Sequence, residues 1–191
     1  MSFIVIEGDN ATGKTTLCSC FPFEIINSQK WFQDEEIKLK KLPLNEKIPA
    51  FLKFNLKCGQ YGYSMDHYCV LARYWISTVC AAYADGLYDF QTAQNEARAN
   101  INSFPMPEVT IFLRCPNSGR LSRIMERRKK IGDYSDPIAE IRNEKYLQIS
   151  LYISTLFKNV MTFSTDIYKP NVIAKCVTEF LQQKGERNNV D

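Results

Sequence analysis

Gly8-Asp9-Asn10-Ala11-Thr12-Gly13-Lys14-Thr15 is the stretch of this sequence that decides the fold. It fits the phosphate-binding loop pattern G-x-x-x-x-G-K-[ST] at every fixed position. The preceding run, Phe3 to Glu7, is typical of a buried strand, and the following run, Lys14 to Cys20, has the periodicity of a helix. Strand, loop and helix in this order are the context in which the pattern is specific. The sequence therefore predicts a loop that binds phosphate groups.

The residue types in this loop suit a polyphosphate and its metal ion. Glycines allow backbone N–H groups to converge on phosphate oxygens, and the start of the helix adds a partial positive charge. We expect Lys14 to reach the β and γ phosphates and the Thr15 hydroxyl to take one coordination position of Mg²⁺. The residues predicted to hold the phosphates are Gly8, Asp9, Asn10, Ala11, Thr12, Gly13, Lys14, Thr15 and Thr16.

Composition places the chain among ordinary globular proteins. Its 191 residues, 45% hydrophobic and 24% charged, predict one domain over residues 1–191. A net charge of +3 is too weak to indicate a partner that is a polymeric nucleic acid. There is no run of 18 apolar residues and no signal peptide, so no membrane partner is expected. The 7 scattered cysteines form no Cys-x-x-Cys pair, which disfavours structural zinc and favours a reducing, cytoplasmic setting.

Short apolar runs alternate with amphipathic segments along the chain, which predicts an α/β fold with a doubly wound parallel sheet. The predicted strands are Phe3 to Glu7, Phe23 to Ile26, Tyr68 to Ala72, Val109 to Leu113 and Val160 to Phe163. The predicted helices are Lys14 to Cys20, Glu46 to Tyr61, Trp75 to Tyr88, Gln91 to Ser103, Gly119 to Lys130, Pro137 to Phe157 and Pro170 to Gln183. The segment from Gln29 to Pro49 is expected to be irregular, and the tail from Gly185 is expected to fray.

Several protein classes share a phosphate-binding loop, and missing motifs separate them. Neither D-x-x-G nor N-K-x-D occurs in the chain, which disfavours a switch GTPase. Two predicted strands run into Arg73 and Arg114, where an ATP-driven motor would have an aspartate for the magnesium shell. A small-molecule kinase remains as the favoured class.

The arginines are unevenly distributed, since none occurs before Arg73. Arg73 follows a predicted strand at its carboxyl end, where open α/β sheets place groups that contact ligands. We expect it to touch the acceptor or the transferred phosphate. The alternative is that Arg73 is solvated or pairs with a neighbouring carboxylate.

A second group of arginines crowds into one predicted helix. Arg120, Arg123 and Arg127 share a helical face, and Arg128 follows directly. We interpret this face as a lid that closes over a triphosphate, with Arg123 and Arg127 as the catalytic pair that stabilises the charge of the transition state. A solvated basic helix face is the alternative interpretation.

Four segments, in order along the chain, resemble the thymidylate kinase family and its relatives, the deoxynucleoside kinases. The four segments are Phe3 to Leu17, Val70 to Thr78, Pro107 to Arg128 and Val160 to Asp166. The second segment contains the arginine of the family's Asp-Arg-Tyr strand end, and the third contains the strand and the lid. The resemblance implies a P-loop kinase fold with a five-stranded parallel sheet, helices on both faces and an arginine-bearing lid at about residues 117–136. It implies ATP and Mg²⁺ as cofactors and a small-molecule nucleotide as substrate, and it leaves a homodimer open.

The chain departs from the family pattern in the half that would bind the acceptor. Asn10 stands where the family has an acid, with Asp9 displaced by one, and Ala72 replaces the acid before the strand-end arginine. Lys53 and Lys57 stand where an arginine is expected. Because lysine binds phosphate only as a point charge, the acceptor half is a weaker clamp for a monophosphate.

The resemblance predicts transfer of the γ-phosphoryl group of ATP to a deoxynucleoside monophosphate, most of all dTMP. A deoxynucleoside kinase is the first alternative, although its 5′-hydroxyl acceptor requires a base that Ala72 cannot supply. The second alternative is a non-catalytic ATP-binding interaction protein. The residues predicted to contact the substrate are Arg73, Tyr74, Ser77, Tyr83 and Phe54, whose aromatic members either stack on a base or belong to the core.

Overall fold

The computed structural model describes residues 3–26, 33–132 and 144–187. Five strands form one sheet with parallel pairing throughout, in the order β2-β3-β1-β4-β5. The strands are β1 (Phe3–Glu7), β2 (Glu24–Ile26), β3 (Cys69–Ala72), β4 (Val109–Arg114) and β5 (Val160–Ser164). The predicted five-stranded parallel sheet is confirmed.

Helices connect the strands and cover both faces of the sheet. Those in the described ranges are α1 (Lys14–Cys18), α2 (Gln33–Lys40), α3 (Leu44–Ser64), α4 (Trp75–Ala84), α5 (Phe90–Ser103), α6 (Asn117–Ile131), α7 (Glu144–Ser154) and α8 (Pro170–Arg187). None of these helices is long and apolar enough to cross a membrane.

Alternate residues of β1 belong to two separate hydrophobic clusters. Phe3 and Val5 pack into one cluster with Trp75 of α4 and residues of α3, α5 and α7. Ile4 and Ile6 pack into the other with residues of α1 and α8. Because successive side chains of a strand point to opposite faces, a strand buried on both faces is apolar throughout.

The expectation of an irregular segment between Gln29 and Pro49 is wrong in the part of it that the structure describes. Residues 33–40 form α2, and α3 begins at Leu44. Pro43 immediately precedes α3, where a missing N–H costs no helical bond, and Pro49 is accommodated inside the helix. Lys57 Nζ contacts Glu35 Oε1 at 2.6 Å and so joins the two helices.

Several predicted helix ends are also corrected. α1 stops at Cys18, and α4 stops at Ala84 because Gly86 adopts a left-handed φ of 77°. α8 continues to Arg187, so the backbone of residues 185–187 does not fray as expected. Residues 137–143 of a predicted helix, 133–136 of the predicted lid and 188–191 of the tail lie outside the described ranges.

The strand order determines where a ligand can bind. β1 lies between β3 and β4. The connection from β1 leads to β2 on one side, and the connection from β3 crosses β1 and leads to β4 on the other side. Open α/β sheets bind ligands at the carboxyl ends of the strands around such a switch point. The loop after β1, Arg73 after β3 and the start of α6 after β4 all lie at this edge.

Candidate active site

The loop between β1 and α1 has an unusual backbone conformation at Gly8 and Ala11. Gly8 has a φ of 143°, and a Cβ atom there would lie 2.5 Å from the carbonyl oxygen of Leu113, so no side chain fits. Ala11 is also left-handed, with a φ of 59°, which is an unfavourable conformation for a residue with a side chain. Thr12 Oγ1 donates to the carbonyl oxygen of Asp9 at 2.8 Å. The loop is therefore a tightly folded turn in which backbone strain is held by surrounding contacts.

Lys14 lies across this loop as a buried cation. Its Nζ donates to the carbonyl oxygens of Gly8 and Asp9 at 2.7 and 2.6 Å. Burial, and to a lesser degree the nearby positive charge of Arg73, lowers the pKa of Lys14 to about 7. Anionic oxygens placed beside Nζ would favour its charged form, so this ammonium is suited to bind phosphate.

Two arginines of α6 form hydrogen bonds to the loop between β1 and α1. Arg120 makes a buried ion pair with Asp9 and donates from Nε to the carbonyl oxygen of Asn10 at 3.0 Å. Arg123 donates from Nη1 to the carbonyl oxygen of Ala11 at 3.1 Å and also contacts Thr165. The structure thus brings the start of α6 against the loop.

The two arginines of α6 that are predicted to be catalytic, Arg123 and Arg127, lie in different environments. Arg123 contacts the loop, whereas Arg127 is exposed one turn further along the helix. Arg120, which the sequence interpretation did not select, is buried closer to the loop than Arg127. The catalytic roles of Arg123 and Arg127 remain predictions.

Glu7, the last residue of β1, forms hydrogen bonds to the start of α4. Its Oε1 accepts hydrogen bonds from the backbone N–H groups of Tyr74 and Ser77 at 2.7 and 3.4 Å, and its Oε2 accepts from the Ser77 hydroxyl. Tyr74 directly precedes α4, and Ser77 lies in its first turn, where N–H groups lack the usual helical partners; the Ser77 N–H also donates to the carbonyl oxygen of Tyr74 at 3.1 Å. The Glu7 carboxyl group therefore caps α4 from a neighbouring strand.

Replacing Glu7 with glutamine is expected to remove a pH dependence of stability. Burial raises the pKa of Glu7 from 4.5 to about 7, so between these pH values the folded protein retains a proton that the unfolded chain has lost. The contribution of this proton to stability is fully present below pH 4.5 and is lost as the pH rises through 7.

Over that window, wild type should lose up to about 3 kcal/mol of unfolding free energy relative to Glu7→Gln. Urea unfolding of both proteins at several pH values measures the difference. A difference that stays constant with pH would show that Glu7 does not titrate there.

Arg73 stands where β3 ends and connects the loop to a cavity. Its backbone is left-handed, with a φ of 74°, and its N–H donates to the carbonyl oxygen of Ile6 at 3.0 Å. Its Nη2 donates to Asn10 Oδ1 at 2.8 Å. The guanidinium group is therefore fixed beside the loop by a strained backbone and an amide partner.

A cavity of about 380 Å³ opens beside Arg73, between α3 and α4. Phe51 and Phe54 of α3 line it together with apolar residues of both helices. Its polar lining includes Asn55, whose Nδ2 donates to Thr78 Oγ1 at 2.7 Å. Apolar walls with a few polar groups are typical of sites for small ligands.

The structure separates the residues predicted to contact the substrate. Arg73, Tyr74, Ser77 and Phe54 line the cavity, but the Ser77 hydroxyl is committed to Glu7. The Tyr74 ring is fully buried, and its hydroxyl donates to the carbonyl oxygen of Pro105, so this ring belongs to the core. Tyr83 lies elsewhere, because its ring packs against Phe90 and its hydroxyl donates to Gln148 Oε1. Phe54 also lines the cavity and is a buried member of the core, and its role in stacking on a base remains a prediction.

The described residues offer little to bind a metal ion by themselves. Thr15 is exposed at the start of α1, and its hydroxyl makes no hydrogen bond within the described part of the chain. Within the same ranges, no three acidic, histidine or cysteine side chains group into a metal site. One hydroxyl fits Mg²⁺ that is held mainly by nucleotide phosphates and water.

Sequence reasoning missed several residues of this region. Glu7 and Arg120 act through contacts with residues far along the chain, and Asn55 and Thr78 meet across two helices. The displaced acid at Asp9 is the one signal that could have indicated a partner such as Arg120.

Comparison with solved structures finds proteins of similar architecture, among them two kinases. A deoxyadenosine kinase from M. mycoides with bound dCTP matches with a TM-score of 0.56 and 13% identity, over 95% of this chain and 99% of that one. A thymidylate kinase from Candida albicans matches with a TM-score of 0.66 and 16% identity, over 96% and 92%. The YorR protein from Bacillus subtilis, in complex with phosphorylated GDP, matches with a TM-score of 0.53 and 15% identity, over 97% and 98%.

No protein family and no curated protein matches the sequence. At such low identities, the structural likeness concerns the fold, and it extends over nearly the whole chain. Together with the sheet order and the loop after β1, it confirms the predicted α/β fold with a five-stranded parallel sheet, whereas the arginine-bearing lid remains a prediction. The chain has the α/β fold of the P-loop nucleotide kinases.

Proposed function

We propose that this chain is an ATP-dependent kinase that transfers the γ-phosphoryl group to a deoxynucleoside monophosphate, with dTMP as the expected acceptor. One observation carries the proposal. Arg73 contacts Asn10 of the phosphate loop at 2.8 Å and also lines the cavity between α3 and α4. A cation at the junction of a phosphate loop and a nucleotide-sized cavity is suited to hold the two reacting phosphates in line.

The other residues of the site are assigned the roles that the sequence predicts for them. Lys14 binds the β and γ phosphates, and Arg123 and Arg127 stabilise the charge that spreads over the transferred group. The Thr15 hydroxyl holds Mg²⁺ together with the nucleotide, and the ion neutralises part of the triphosphate charge. Phe54 offers a ring to the acceptor base.

The carboxylates of the site favour a monophosphate over a nucleoside hydroxyl. Glu7 is fully buried with both oxygens hydrogen-bonded, and Asp9 is paired with Arg120. Among the described residues that line the cavity between α3 and α4, the one acid is Asp85. Asp85 follows the last residue of α4, whereas Arg73 lies before the first, so the length of the helix, roughly 15 Å, separates them. A hydroxyl acceptor needs a base near the loop, whereas a monophosphate brings its own anionic nucleophile.

Paired acceptors test this proposal. We expect ADP release with dTMP to exceed release with thymidine at equal concentration by at least about 10²-fold, the contribution of a missing general base. The same assay with the other deoxynucleoside monophosphates identifies the preferred base.

Faster turnover of the nucleoside would assign the chain to the deoxynucleoside kinases instead. Tight ATP binding without turnover of any acceptor would favour the non-catalytic ATP-binding protein. Either result would contradict the proposed acceptor.

A further inference from the structure

Asp9 places a negative charge in the loop that we propose binds a triphosphate. Its side chain is only 9% exposed, and Asp9 Oδ1 accepts a hydrogen bond from the N–H of Asn10 at 2.7 Å. A buried carboxylate at this point repels an incoming polyanion, since like charges interact strongly where water is excluded. The loop therefore needs a fixed positive charge to cancel it.

Arg120 supplies that charge and contacts protein atoms through each of its three guanidinium nitrogens. Its side chain is 7% exposed, and Nη2 forms an ion pair with Asp9 Oδ2. Its Nε donates to the carbonyl oxygen of Asn10 at 3.0 Å, and its Nη1 donates to Asn117 Oδ1 at 3.2 Å. All three guanidinium nitrogens are bound to protein atoms, so this arginine is not arranged to grip a ligand.

The contact with the Asn10 carbonyl has a second consequence for the loop. In a trans peptide the carbonyl oxygen and the following N–H point in opposite directions. Arg120 draws the oxygen of Asn10 toward α6 and thereby turns the N–H of Ala11 away from that helix. Arg123 does the same for the next peptide through the oxygen of Ala11. Two arginines on successive turns of α6 thus set the direction of two loop N–H groups.

We infer that Arg120 is a positioning residue that neutralises Asp9 and orients the loop N–H groups, and that it is not a mobile arginine that closes over the triphosphate. This inference rests on the proposed function in one respect, which is that a nucleoside triphosphate binds at the loop. It separates Arg120 from Arg123 and Arg127, with which it shares a helix.

A double-mutant cycle tests the inference, with the dissociation constant of a fluorescent ATP analogue in the presence of Mg²⁺ as the readout. Arg120→Gln leaves a buried, unpaired carboxylate and should weaken binding at least about tenfold. Asp9→Asn keeps an oxygen for Arg120 but leaves its positive charge uncancelled, so it should bind the analogue at least as tightly as wild type. The double variant carries neither charge and should recover to within about threefold of wild type.

Recovery in the double variant is the result that a structural or charge-compensating role predicts and a direct phosphate contact does not. A double variant as weak as Arg120→Gln would overturn the inference, because cancelling the charge of Asp9 would then not be what Arg120 contributes to binding. Unchanged binding by Arg120→Gln would overturn it as well.

Further variants separate this effect from misfolding. Arg120→Lys keeps the charge and should bind the analogue more tightly than Arg120→Gln. Lys130→Gln removes one positive charge from an exposed turn of the same helix and should bind like wild type. If Arg120→Gln does not fold, the double variant and Arg120→Lys decide the question, since loss of binding in both contradicts the inference.

The proposed function can fail without the inference. If wild type binds the analogue but phosphorylates no acceptor, the proposed function is wrong, and the four dissociation constants still decide the role of Arg120. If wild type does not bind the analogue, the loop is not a triphosphate site and the inference is wrong too.

Discussion

Replacing Lys14 with alanine is expected to lower kcat for dTMP phosphorylation at least about 10²-fold, the typical cost of removing one electrostatic stabiliser. In the structure, the Lys14 ammonium lies buried within 2.7 Å of two loop carbonyl oxygens. Burial and the positive charge of Arg73 lower its pKa to about 7, and an anion beside Nζ would favour the charged form. A triphosphate supplies the missing negative charge, and more of it gathers near Lys14 as the γ-phosphoryl group transfers.

The rate is measured as ADP release at saturating ATP and dTMP. Thermal unfolding of Lys14→Ala and Lys14→Met establishes that the variants are folded. Lys175→Ala, an exposed lysine of α8, serves as a control and should keep the wild-type rate. A folded Lys14→Ala protein with wild-type turnover would remove the loop from the mechanism.

Replacing Arg73 with alanine is expected to raise the KM for dTMP roughly 10- to 150-fold, with a much smaller change in the KM for ATP. The range corresponds to the roughly 1.5 to 3 kcal/mol of a hydrogen bond to a charged group. Arg73 lines the cavity that we propose for the acceptor and is fixed toward the loop by Asn10, so its loss should affect the acceptor first.

Because Arg73 has a φ of 74°, alanine at this position keeps an unfavourable backbone conformation that glycine adopts easily. Arg73→Gly and Arg73→Ala should therefore show the same KM for dTMP although they differ in stability. A KM that recovers in the glycine variant would indicate a backbone effect, and an unchanged KM in both would show that Arg73 does not contact the acceptor. Arg98→Ala, a cation over the ring of Tyr152, is the control.

The sequence was sufficient to predict the sheet and the loop because both are local in the chain. A strand buried on both faces is a short apolar run, and each predicted strand was found within one or two residues of its position. The loop pattern fixes its glycines by backbone geometry, as the 2.5 Å contact at Gly8 shows. Such features need no knowledge of the rest of the chain.

The long-range contacts around the loop could not be predicted in this way. Asp9 and Arg120 are separated by 111 positions, and Glu7 and Ser77 by 70. Each member alone is an ordinary charged or polar residue, and the pairing exists only once the strands and helices are assembled. The same holds for Asn55 and Thr78, which meet between α3 and α4.

The positions of prolines and aromatic residues in the sequence were also insufficient to predict their surroundings in the fold. Pro43 and Pro49 were read as signs of an irregular segment, although one lies before a helix start and the other is tolerated inside α3. Tyr74 and Tyr83 follow the strand-end arginine in sequence, yet their rings are buried in the core. Which residues face the cavity depends on how the helices pack, and a single sequence does not contain that information.

The most direct test of the account is a single-turnover reaction with enzyme in excess over ATP labelled in the γ-phosphoryl group. With dTMP as acceptor, the account predicts that the label appears in dTDP in wild type and at least about 10²-fold more slowly in Lys14→Ala. Label that remains in ATP, or that is released only as inorganic phosphate in the presence of each deoxynucleoside monophosphate, would contradict it.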